Sequence, residues 1–175
     1  MSKKTKIVKF IKEAPKAELH LHIEGTLEPS HLFELAKKNN IKIPFSNVSE
    51  IKSAYNFSNL ESFLKIFYQG SKVLIKEQDF FDLTWAYAMK CKENNVVHTE
   101  IFFDPQTHVN RGIDFDIVIN GIYKALQKAN KELGLTSEII MCFLRHLDEA
   151  SGFKILDMAL PHKDKIIGVG IDSSE

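Results

Sequence analysis

Ala17-Glu18-Leu19-His20-Leu21-His22 alternates apolar and polar side chains, the period-two pattern of a strand with one apolar face. A helix follows it: across residues 28–40, Leu32, Phe33, Leu35 and Ala36 recur at helical spacing, Pro29 sits where a first turn tolerates it, and two asparagines close the segment. Residues 41–59, with Pro44 and several Ser and Asn, read as a connecting excursion. Helical spacing resumes over 60–74 and 78–93, the second carrying Phe81, Trp85, Ala88 and Met89 on one face. Val96 to Phe103 is β-branched and aromatic, a second strand. Residues 115–133 predict a helix stopped by Gly134, 137–144 a third strand, 149–160 a helix stopped by Pro161, and 166–171 a fourth strand.

Strands alternating with helices, the later ones nearly continuous apolar runs, predict a parallel sheet covered on both faces. That leaves an open doubly wound sheet or a (β/α)8 TIM barrel. Each strand is followed by polar residues: His22 and Glu24; Asp104, Gln106 and His108; Arg145, His146 and Asp148; Asp172, Ser173, Ser174 and Glu175. All would meet at one rim, where both architectures place their chemistry. No GxGxxG or GxxxxGK[ST] turn follows any strand, which lowers the nucleotide-binding open sheet. A complete barrel takes about 250 residues. These 175 residues supply four strands, so the expected fold is a barrel truncated to about its first four strands.

The 23 basic residues balance the 23 acidic ones, which argues against nucleic acid or an anionic membrane as partner. No apolar run approaches the roughly 20 residues that span a bilayer. Cys91 and Cys142 lack CxxC spacing, which removes a disulfide framework and a thiolate zinc site and suits core thiols of a cytoplasmic protein. Five lysines between Ser2 and Lys12, with no apolar stretch or cleavage site after them, mark residues 1–14 as a solvated basic arm ahead of a domain at 15–175.

His20 and His22 stand at i and i+2, which in a strand aims both imidazoles at one face, where one metal ion can take both. His22-Ile23-Glu24 also matches the HxE half of the cytidine-deaminase signature, but the PCxxC half is missing and that reading falls. Simpler assignments stand beside these: Asp104 before Pro105 as a strand-ending turn residue, His108 as a surface histidine, His31, His98 and His162 as helix-surface or structural histidines, and Trp85 with the 13 phenylalanines as core.

The stretch from Lys16 through His20-Leu21-His22-Ile23-Glu24-Gly25 to Leu27 resembles the opening motif of the adenosine and adenine deaminases, zinc hydrolases on a (β/α)8 barrel. Glu100-Ile101-Phe102-Phe103-Asp104-Pro105-Gln106-Thr107-His108, Cys142-Phe143-Leu144-Arg145-His146 and Gly168-Val169-Gly170-Ile171-Asp172-Ser173-Ser174-Glu175 are similar to the adenine deaminase branch, in register from Pro15 onward. The resemblance implies Zn2+ held by His20 and His22, and substrate contacts from Glu24, Asp104 and Asp172. Glu24 stands where nucleoside-acting members carry Asp, and Asp104-Pro105-Gln106 where they tend to carry Ser-Pro-His, so adenine is the expected substrate and adenosine the alternative. The family's third zinc histidine, its proton-donating glutamate, its water-orienting histidine and its final zinc aspartate belong to later strands. No catalytic residue is therefore assigned here; the chain alone is expected to be inactive, a truncated non-catalytic product being the remaining alternative, and to self-associate through exposed barrel edges.

Overall fold

The computed structural model describes residues 2–174; Met1 and Glu175, the last residue of the fourth motif, lie outside the described residues. Four strands form one parallel sheet in sequential order: β1 (Lys16–His22), β2 (Val96–Phe103), β3 (Thr136–Leu144) and β4 (Gly168–Asp172). Parallel neighbours require long crossovers. Between β1 and β2 run α2 (Pro29–Lys38), α3 (Val48–Ala54), α4 (Leu60–Ser71) and α5 (Glu77–Glu93); α6 (Pro105–Val109) and α7 (Phe115–Leu133) join β2 to β3; α8 (Glu149–Ala159) joins β3 to β4. The order never reverses, so the sheet has none of the switch points of a doubly wound fold and curls as half of a (β/α)8 barrel.

Burial alternates along β2: Thr99, Ile101 and Phe103 are buried against the helices, while His98, Glu100 and Phe102 on the other face are half-buried. The expectation of a sheet covered on both faces is therefore corrected. One face meets the helical layer and the other lines the open interior of the half barrel. The core gathers Phe80 and Leu83 of α5, Ile119 and Ile122 of α7, and Ile101 and Phe103 of β2, each almost wholly removed from water and each contributing roughly 1.5–3 kcal/mol of hydrophobic stabilisation. At Gly121, α7 lies close against the first turns of α5. A Cβ there would lie 2.5 Å from the Glu77 carbonyl oxygen and 2.7 Å from the Phe80 Cβ.

β1 departs from the simple alternation its sequence suggests. Glu18 pairs with Thr99 and Leu21 with Ile101, three residues against two, so β1 carries a bulge between them. The extra residue turns Glu18 toward the helices, where it accepts a 2.7 Å hydrogen bond from the Tyr87 hydroxyl, away from His20 and His22. Leu19, on the expected apolar face, is 56% exposed.

Three helices fall where the sequence predicted none. α1 (Lys3–Glu13) occupies the basic arm, its first turn capped by the Ser2 hydroxyl accepting from the Thr5 N–H. α3 lies inside the 41–59 excursion, capped by Asn47 accepting from the Glu50 N–H. α6 is five residues long, too short to display a period. No helix among the described residues is long and apolar enough to cross a membrane.

Candidate active site

The carboxyl ends of the strands bring polar side chains to one rim. β1 ends at His22, and a 3-10 turn over Ile23–Thr26 carries Glu24 behind it. Asp104 follows β2 at the start of α6, and Asp172 ends β4. His22 Nδ1 lies 3.1 Å from Asp172 Oδ2 and 3.5 Å from Asp104 Oδ1. His22, Asp104, Cys142 and Asp172 each offer a ligand atom within 4.8 Å of the others. His20 and His22 share the interior face as their spacing predicts: their rings are 5.7 Å apart and both pack on Phe102, at 4.8 and 5.2 Å.

A cavity of about 380 Å³ opens over this cluster, within the ordinary range for small-molecule sites. His20, His22, Asp104 and Asp172 form its sheet side; Phe63, Phe67 and Tyr68 of α4 form an aromatic wall opposite. The Tyr68 hydroxyl is 2.6 Å from Ser173 Oγ, itself 2.9 Å from His146 Nδ1. Ser173 holds φ 80, a left-handed conformation that costs a non-glycine residue energy and that clusters at functional sites.

Charge in the cluster is tightly coupled. Burial opposes a charge on His22, but the Asp104 and Asp172 carboxylates outweigh it and push the imidazole up to about 10. Burial, reinforced by the Glu24 charge, raises Asp104 well above the ordinary carboxylate value. Asp172 is buried too, yet its hydrogen bonds with His22 and Asp104 hold it below that value. Burial raises the Cys142 thiol, and the neighbouring carboxylates raise it further.

Of the residues singled out from sequence, His22, Asp104 and Asp172 meet directly, and His20 adjoins them across Phe102. Glu24 sits one layer deeper, 3% exposed, accepting from the Asp104 N–H at 3.0 Å. Gln106 is structural, its Oε1 accepting from the Leu144 N–H and its amide donating to Ser151; Asp148 caps α8 through the Ser151 N–H. The surface assignment of His108 is corrected: it is 0% exposed and bonded to Glu24, because α6 turns it inward beneath Phe80. Sequence reading did not place Cys142 and Tyr68 at the site. Only strand parity hinted at Cys142, and nothing marked Tyr68, which a helix from a distant crossover delivers.

Half of a (β/α)8 barrel with imidazoles, carboxylates and a strained turn gathered at the carboxyl rim is the architecture of a barrel enzyme. A family model described as adenosine deaminase matches residues 15–175. The chain is 61% identical over 166 residues to the adenine deaminase of Wolinella succinogenes, covering 95% of this chain and 50% of that protein, and 59% identical over 169 residues to that of Psychrobacter cryohalolentis, covering 97% and 51%. A crystal structure of adenine deaminase from Arthrobacter aurescens superposes with a TM-score of 0.89 at 42% identity, over 92% of this chain and 49% of that one. An amidohydrolase of Burkholderia ambifaria, solved with bound Zn, shares the fold at 22% identity and a TM-score of 0.83. The chain belongs to the adenosine deaminase family. It spans about half the length of the curated relatives it matches.

Proposed function

We propose that this chain supplies residues 15–175 as the first half barrel of a zinc-dependent adenine deaminase, a cytoplasmic enzyme of purine salvage that converts adenine and water to hypoxanthine and ammonia, with residues 1–14 as an appended basic arm. The observation that carries this reading is the 61% identity to an adenine deaminase together with His20, His22, Asp104 and Asp172 lining one cavity.

The donor set fits a divalent cation. His22, Asp104, Cys142 and Asp172 offer donor atoms within 4.8 Å of one another, His20 lines the same cavity, and Asp172 Oδ1 is buried with no hydrogen-bond partner. His20 and His22 would hold zinc, whose contribution is Lewis acidity. The chain's own groups do the rest. Phe63, Phe67 and Tyr68 offer aromatic contacts to a purine ring and exclude water from that side. Asp104 and Asp172 fix the His22 ring through Nδ1, leaving Nε2 available. Glu24, Asp104 and Asp172 supply the carboxyl groups that would recognise polar edges of the base. The purine is the small-molecule partner this reading requires.

Metal analysis of the purified full-length protein, followed by ammonia release from adenine and from adenosine, tests the proposal. Zinc with turnover of adenine over adenosine supports it; turnover of adenosine alone would sink the adenine assignment.

A further inference from the structure

Behind the cavity a buried relay of polar groups ends on Glu24, and none of the roles above uses its other members, His108 and Arg111. His108 Nε2 is 3.0 Å from Glu24 Oε1, and its Nδ1 is 2.8 Å from Arg111 Nη2. A guanidinium can only donate, so Nδ1 must accept and the single proton of the neutral ring sits on Nε2, from where it donates to Glu24. Burial, with the Arg111 charge beside it, holds His108 neutral, down to about 3. Arg111 is itself fixed: Nε donates to the Thr107 carbonyl, Nη1 to that of Lys72, and Nη2 shares its two N–H groups among His108 Nδ1 and the carbonyls of Ser71 and Leu74 at the carboxyl end of α4. Glu24 Oε1 accepts two donors, His108 and the Asp104 N–H, while Oε2 is buried with none. Glu24 shares a second, smaller cavity with Phe63 and Phe67, which also wall the main one.

We infer that His108 and Arg111 are positioning residues that hold the Glu24 carboxylate with Oε2 as an open acceptor for a ring N–H of the ligand, so that the site selects a free base over an N9-substituted one. This rests on the adenine deaminase reading. A free purine carries an imidazole-ring N–H that a nucleoside lacks. A buried acceptor left unpaired by the wrong ligand is a strong basis for rejection.

The test uses the full-length protein and two independent readouts. In the first, the ratio of kcat/KM for adenine to that for 9-methyladenine is measured in wild type, His108→Phe and His108→Gln. Phe keeps the ring packing on Phe80 and removes the donor; Gln keeps an N–H donor. The ratio should fall roughly 10-fold to 100-fold in the Phe variant, the range for losing a group that orients a binding residue, and recover toward wild type in the Gln variant. A purely structural role lowers both substrates together and leaves the ratio unchanged, which would overturn the inference. In the second, nitrogen NMR of the wild-type imidazoles should show one histidine locked with its proton on Nε2, losing that signature in Arg111→Lys. A His108 proton on Nδ1 would also overturn it. Because the NMR needs no turnover, a protein inactive on adenine but carrying the locked histidine would defeat the functional reading while leaving the relay standing.

Discussion

His22 is held by Asp104 and Asp172 rather than by its strand neighbour, so the second imidazole of the His-X-His pair is the better oriented of the two. His22→Ala should therefore weaken zinc binding more than His20→Ala, by about 10-fold to 100-fold relative to wild type, as read by competition with a chelator. Equal effects would show that the carboxylates orient nothing. Asp79 is a different kind of buried acid. Its carboxylate accepts from Lys38, from Asn39 and from the Ile75 and Lys76 N–H groups at the start of α5. Burial alone would raise it, but these donors together hold it below 3.8. A depressed native value stabilises the fold above about pH 4, and the contribution is lost as pH falls through the native value. Asp79→Ala strands several donors and should cost about 2–4 kcal/mol at pH 7 in urea denaturation, with the difference from wild type shrinking in acid. The pattern of donors on Asp79 could not be read from sequence, since Asn39 and Asp79 are 40 residues apart and meet only when α2 packs beside α5.

At the scale of elements, the long helices were legible and the short ones were not. α7 runs over Phe115–Leu133, the range its periodicity predicts, and stops at Gly134 in the left-handed conformation, φ 71, that glycine adopts without strain. Nineteen residues give several turns of period to count; the five of α6 give none. β1 shows the opposite failure, a clean alternation that its bulge overrides, so that Glu18 leaves the face it seemed to share with the histidines. The α5–α7 contact is set by Gly121. Gly121→Ala places a methyl against the Glu77 backbone, which cannot move without α5, and should destabilise by about 1–3 kcal/mol despite the better helix propensity of alanine. A thermal midpoint equal to or above wild type would show that the two helices can separate freely.

In the whole molecule, β1 and β4 are the sheet's edges, and Ile167, just before β4, with Val169 and Ile171 in it are about 60% exposed, the first two sharing a surface hollow with Leu160 of the neighbouring crossover. Unpaired backbone and a contiguous apolar surface favour association. Polypeptide 1–175 expressed by itself should be oligomeric in light scattering and release no ammonia from adenine; a monodisperse, active monomer would contradict both expectations. Period, chain order and the residues after each strand were local properties, and local properties determined the parallel αβ layout, the rim that carries the site, and the shared face of His20 and His22. Tertiary structure alone decided that Cys142 and Tyr68 join that rim, that His108 is buried under Glu24, and that one face of the sheet stays open. Each of these depends on contacts between segments tens of residues apart, where burial and hydrogen-bond satisfaction in the assembled fold, rather than any pattern along the chain, fix which side chains meet.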